Sequence, residues 1–247
     1  MPFHQSGSIR YYTFAGFDST ALTHAIFTRQ GGVSPPPWDS LNVASTVGDD
    51  RQRVEHNRVR AFQAVGRDPD SLYDVWQVHS AEVVCADAPR QVDQDHRQAD
   101  AILTDNPEVT LFMRFADCVP ILLHDPVQQV VGLVHAGWQG TVRGVVSSAV
   151  TAMQERYHST PADIRAGIGP SIGAHHYEVG QEVIVQVRAF FGHEAEALLP
   201  SQDGAVQFDL WGANRLLLTE SGLTKIRVAQ LCTACHLDDW YSHRAEN

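Results

Sequence analysis

The stretch VPILLHDPVQQVVGLVHAGWQGTV, Val119–Val142, decides the reading of the fold. Two apolar runs, Val119–His124 and Val130–His135, each have the length of a strand. Asp125-Pro126 between them signals a turn. Gly137 and Gly140 then bracket a second turn, where a small residue lets the backbone bend tightly and approach a ligand. Beyond it, Val142, Val145, Val146, Ala149, Val150 and Met153 fall on one helical stripe. The stretch reads strand, turn, strand, Gly-bracketed turn, helix.

Working outward, further strands are expected at Leu22–Thr28, Tyr73–Val78, Glu82–Ala86, Val109–Phe115, Ile164–Ile168 and Ile226–Ala229. A helix is expected over Gln52–Val65. Another covers Gln181–Phe191, with Val183, Ile184, Val187, Phe190 and Phe191 facing inward. A third starts at Asp209, as N-cap, and stops at Gly222, as C′ residue. Many strands with a few amphipathic helices predict an α/β or α+β fold, with helices covering a mixed sheet. Ala88–Gln98 is polar and reads as a loop, and Pro35–Pro37 as a short extended element within one. With no internal repeat and no low-complexity linker, residues 1–247 are expected to form one domain.

The chain has 247 residues, 43% of them hydrophobic, enough for a large core. No apolar run is long enough to cross a bilayer, and the N-terminus does not read as a secretory signal, so a cytoplasmic setting is expected. A formal net charge of −11 gives no bulk attraction for nucleic acid phosphate. Lys225 is the only lysine among 18 basic residues, so a Walker-type lysine loop is excluded. The four cysteines, Cys85, Cys118, Cys232 and Cys235, are too few for a disulfide framework in a chain this long and read as thiols or metal ligands.

Three residues carry the sharpest chemistry: His79 in WQVHS, Cys118 in FADCVP and His135 in LVHAGW. Each stands at or near the end of an apolar run. Two imidazoles and a thiolate are a donor set for a zinc-like ion with one position left open. Their long spacings do not by themselves bring them together. The helix start after His135 offers unpaired N–H groups to an anion. Arg29, in the Gly-rich loop TRQGGVS followed by Leu41-Asn42, is a further anion contact, or else a solvated surface residue. Gly169-Pro170-Ser171-Ile172-Gly173 matches a nucleophile elbow. However, the next helical pattern begins only near Val179 or Gln181, so a structural turn is the better reading. Cys232-Thr233-Ala234-Cys235, with His236 and His243 nearby, reads as packing or free thiols ahead of a metal clip. Thirteen histidines without one H-x-H pair exclude ordinary laccase copper machinery.

Taken in order, TRQGGVS, SLN, VGDD, WQVHS, ADAILTD, ADCVPILLHD, VGLVHAGWQG, GIGPSIGAHHYEVG, FDLWGAN and LCTACHLDDWYSHR resemble the YfiH family, also called multicopper polyphenol oxidase or laccase-domain proteins. The resemblance runs from about Thr28 to Arg244. It implies mixed β-sheets packed face to face with helices outside, a fold shared with toxin-like cysteine hydrolases. It also implies a zinc site at His79, Cys118 and His135. The implied chemistry is phosphorolysis of adenosine, inosine, guanosine or methylthioadenosine, with deamination of adenosine. The implied partners are a purine nucleoside and phosphate, with Arg29 and Asn42 expected on the substrate side. Copper-dependent polyphenol oxidation at the same three residues is the alternative. The resemblance also makes GPSIG a family turn in which Ser171 is no nucleophile. Two departures stand out. The family usually reads HAGWRG, where this chain has Gln139, which shifts any phosphate contact towards Arg29 or Arg143. The family also usually carries a paired Arg and a Gly-rich tail where Arg244-Ala245 stands. Asp117, beside Cys118, is a possible general acid unless strand alternation turns it away.

Overall fold

A computed structural model describes residues 2–17, 22–91, 93–202 and 204–246. A six-stranded mixed sheet forms the centre, in the order Lys225–Val228, Arg165–Ile168, Val119–Asp125, Val130–Ala136, Ala101–Thr104 and Val83–Cys85. The two outermost pairs are parallel and the three inner ones antiparallel. The fold is therefore mixed α/β. Its middle is the hairpin Val119–Asp125/Val130–Ala136, with Val119 opposite Ala136 and Pro120 opposite His135. At its tip, Asp125 Oδ1 accepts from the N–H groups of Val127 and Gln128, which closes the Asp-Pro turn.

Helices cover one face of this sheet. The stripe expected after Gly140 is real but broken. A short helix, Trp138–Val142, ends before Gly144, which takes φ 76°, and Val145–Tyr157 then begins. Val145, Val146, Ala149, Val150 and Met153 are fully buried against the sheet. Gln181–Phe191 buries Ile184, Val187 and Phe191. Phe190 is a correction: it is 43% exposed, because the buried stripe runs through 184, 187 and 191 and turns position 190 outward. Leu210–Glu220 starts on Asp209, whose carboxylate accepts from Gly212 N–H, and is followed by Gly222 at φ 90°. Arg51–Ala64 is capped by Asp50 in the same way. Among the described residues no helix is long and apolar enough to cross a membrane.

Several expected strands are shorter than their apolar runs. Only Thr110–Leu111 of Val109–Phe115 pairs, with Leu72–Tyr73. Beyond it, Gln77 replaces the ladder, its amide bonding both the N–H and the C=O of Arg114. Only Ile26–Phe27 of Leu22–Thr28 pairs, with Tyr11–Tyr12 of an N-terminal hairpin, Phe3–Ser6/Ile9–Tyr12. That hairpin escapes the pattern because its first strand is mostly exposed. Ala101–Thr104 also escapes it: four residues, all buried, fill the slot between Val130–Ala136 and Val83–Cys85. Val92 of the expected loop lies outside the described residues.

Candidate functional site

The central hairpin brings two of the three predicted ligands together. Cys118 lies one step before Val119, and His135 lies one step before the end of the partner strand, so pairing Val119 with Ala136 makes them neighbours. The next strand over supplies Asp100. Its carbonyl accepts the His135 backbone N–H at 2.7 Å, and its Oδ1 accepts from His135 Nδ1 at 2.8 Å. Asp100 Oδ2 accepts from the N–H groups of Val78 (3.2 Å) and Ser80 (2.6 Å) and from Ser80 Oγ (2.9 Å). Those groups flank His79, which is thereby held at φ 58°, a backbone region unusual for a residue with a side chain.

The result is a compact trio. Cys118 Sγ lies 3.8 Å from His79 Nε2, and the two imidazole centroids are 4.9 Å apart. One donor atom from each residue falls within 4.8 Å of the others, and among the described residues no fourth such donor joins the group. Gly137 faces it. A Cβ there would stand 2.8 Å from Cys118 Sγ and 2.9 Å from His79 Cδ2, so only glycine leaves the space clear.

The charges suit an ion. Burial pushes the Cys118 thiol up, but hydrogen bonds from His135 and His79 outweigh it and bring it down to about 6. Burial opposes charge on His135, yet Asp100 and Cys118 raise it to about 9. Burial likewise opposes charge on Asp100, while His135 and Ser80 hold it at about 2. A carboxylate behind a histidine that faces a thiolate is the outer support found around metal-binding imidazoles. The donor set, the clear space and this support all fit a zinc-like ion.

A cavity of about 240 Å³ opens beside the trio, lined by His79, Cys118 and Gly137 and by Trp138, Gln139 and Tyr177 among others. Burial and the charge of Cys118 push the Tyr177 phenol up to about 12, so it stays neutral. Arg244 stacks over its ring at 5.1 Å. Asp117 also borders this cavity, at φ 80°, but both its oxygens are engaged, with Thr233 Oγ1 at 2.6 Å and Arg244 N–H at 2.7 Å. It anchors the backbone that presents Cys118.

The other predicted residues lie elsewhere. Arg29 lines a separate, larger cavity of about 570 Å³, which Asp117 also borders. Its guanidinium meets Glu246 at 2.8 Å and stacks on Tyr241. Asn42 is buried and bonded to Asp49 and Ala44. Arg143 donates to the carbonyl of His79, and Gln139 is in the trio's cavity wall. Ser171 is fully buried, accepting from Trp211 Nε1 at 2.7 Å, and forms no elbow. Sequence reasoning missed Asp100 and Tyr177. Asp100 had one signal, an acidic residue set directly before an all-apolar run.

Residues 23–247 match the family model described as multi-copper polyphenol oxidoreductase laccase. A protein of Deinococcus radiodurans named purine nucleoside phosphorylase is 38% identical over 226 residues, 92% of this chain and 85% of that one. Purine nucleoside phosphorylase YlmD of Bacillus subtilis is 36% identical, over 89% of this chain and 82% of its own. The crystal structure of YlmD from Geobacillus stearothermophilus superposes with a TM-score of 0.91 at 32% identity, covering 99% of this chain and 94% of that one. That of a Bacillus licheniformis hypothetical protein YfiH does so with a TM-score of 0.91 at 33% identity, with the same coverage.

Proposed function

The chain belongs to the YfiH family of laccase-domain proteins, and from that premise we propose that it is a zinc-dependent purine nucleoside phosphorylase that also deaminates adenosine. The observation that carries the proposal is the convergence of His79, Cys118 and His135 beside a cavity with aromatic walls. These three residues would hold the ion. When bound with a position open, zinc supplies Lewis acidity and lowers the pKa of water there.

The chain's own groups do the rest. Asp100 fixes the Nδ1 side of His135, leaving Nε2 for the trio. Trp138 and Tyr177 offer rings against which a purine can stack. In phosphorolysis a phosphate oxygen bonds to ribose C1′ as the N-glycosidic bond breaks, and the purine leaves with the electron pair and gains a proton. In deamination water adds at purine C6 and ammonia leaves. Arg29 and Asn42 stay in the proposal on the substrate side. Arg29 is open to an anion only by exchanging Glu246, and Asn42 acts through the loop it ties to Asp49. Adenosine, inosine, guanosine and methylthioadenosine are the proposed substrates, residues 1–247 the proposed single domain, and the cytoplasm the proposed setting. The free thiols support that setting.

The test incubates metal-assayed protein with each nucleoside, with and without phosphate, and measures free base, ribose 1-phosphate and ammonia. Phosphate-dependent release of base that is lost in Cys118→Ala is expected. Turnover of none of the nucleosides, or equal turnover by the variant, would sink the reading. A second reading, copper-dependent phenol oxidation, has the family description and the copper affinity of thiolate and imidazole in its favour. It predicts oxygen uptake in proportion to bound copper.

A further inference from the structure

A second cluster of metal-type donors stands apart from the trio: His175, His176, Cys232 and Cys235. The two histidines sit on one short turn, Ala174–His176, and the cysteines on and beside another, Thr233–Cys235. The chain joins these turns side by side. Ser171 N–H donates to the Leu231 carbonyl and Thr233 N–H to the Ser171 carbonyl, both at 3.1 Å. Among the described residues His236 and His243, the histidines nearest in sequence, are not part of the group.

The distances are those of a coordination shell. Metal–sulfur bonds of about 2.3 Å and metal–nitrogen bonds of about 2.0–2.1 Å, at tetrahedral angles, set sulfur and nitrogen about 3.5 Å apart. His176 Nδ1 lies 3.5 Å from Cys232 Sγ and 3.5 Å from Cys235 Sγ, and His175 Nε2 lies 3.2 Å from Cys235 Sγ. All four donor atoms fall within 4.8 Å of one another. Two further observations point to a ligand. Gly173 N–H donates to Cys232 Sγ at 3.2 Å, a contact that favours a thiolate. A Cβ on Gly173 would stand 2.6 Å from His175 Cε1, so glycine is what lets that ring fold over the cysteines.

We infer that His175, His176, Cys232 and Cys235 bind a second, four-coordinate zinc ion that clips the 171–177 turn to the 231–235 segment. With four protein ligands the shell is closed, so its role is structural. The clip backs the first site from behind. Thr233, between the two cysteines, grips Asp117 beside Cys118, and Tyr177, next to His176, walls the trio's cavity. The inference does not depend on the proposed activity.

The test counts metal. Full-length protein is stripped with chelator and reductant, reloaded with Zn²⁺ and desalted, and zinc and protein are measured. The parent should hold two equivalents. Cys118→Ala should keep one, and Cys235→Ser and His175→Ala, both at exposed positions, should each lose one. Stripped Cys118→Ala titrated with Co²⁺ should develop thiolate-to-cobalt charge-transfer absorption and tetrahedral bands, which Cys118→Ala/Cys235→Ser should lack. If Cys118→Ala does not fold, the comparison of the parent with Cys235→Ser and His175→Ala decides alone. Zinc content unchanged in the Cys235→Ser and His175→Ala variants, or cobalt bound without thiolate bands, overturns the inference.

Discussion

Asp100 holds His135 through one carboxylate oxygen and, through the other, the two peptide N–H groups on either side of His79. One side chain thus sets the position of two donors that are far apart in sequence. Asp100→Asn keeps the size but loses the charge and the acceptor pattern. Zinc affinity of the trio is expected to fall by roughly 10–100-fold. Competition with a chromophoric chelator, in a Cys235→Ser background to isolate this site, measures it. An unchanged affinity would show that Asp100 does not support the trio.

Cys118 should titrate low in chelator-treated protein. Its thiol is brought down from its ordinary value of 9.0 to about 6, and His135 is raised from 6.5 to about 9. The Cys118 contribution to stability is present above its ordinary thiol value and is lost as pH falls through about 6. The His135 contribution is present below its ordinary imidazole value and is lost as pH rises through about 9. Between about 6 and 9 the pair is therefore thiolate and imidazolium. Alkylation of Cys118 by iodoacetamide, followed by peptide mass spectrometry, should rise with a midpoint near pH 6; a midpoint near 9 contradicts the pairing.

Gly137→Ala should damage the site while leaving the fold. The added methyl would meet Cys118 Sγ at 2.8 Å and His79 Cδ2 at 2.9 Å, and both must shift. A displacement of this order costs about 10²-fold in a positioned site. Phosphorolysis is expected to fall that far, with circular dichroism unchanged. Full activity would mean that the site relaxes freely.

Gln139→Arg should favour phosphate. Gln139 lines the trio's cavity, and a guanidinium there offers charged, bidentate contacts that an amide lacks. The KM for phosphate is expected to drop roughly tenfold, equivalent to about 1.4 kcal/mol. The KM for nucleoside should move less. Steady-state kinetics with each substrate varied separately checks this.

The readable parts of the sequence were those whose packing is periodic. The runs Val119–His124 and Val130–His135, with Asp125-Pro126 between them, locate the central hairpin, and the stripe from Val145 to Met153 locates its covering helix. Other parts depend on partners that no period records. Ala101–Thr104 is a strand because two neighbours enclose it, while most of Val109–Phe115 is not, because Gln77 takes over its backbone bonding. His79 is in place because Asp100, 21 positions later, holds its peptide; a turn with positive φ leaves no apolar pattern. The CxxC pair reads in sequence as packing or free thiols, with only His236 and His243 nearby, whereas the fold brings His175 and His176 beside it from 56 or more positions away.

The pairing of Val119 with Ala136 also says where the chain can change length. An extra residue in the Asp125–Val130 turn leaves Cys118 and His135 at the open end of the hairpin, still neighbours. An extra residue inside either strand reverses the faces of everything beyond it and carries one donor away from the other. Insertions should therefore be tolerated at the tip of this hairpin and excluded from its two arms.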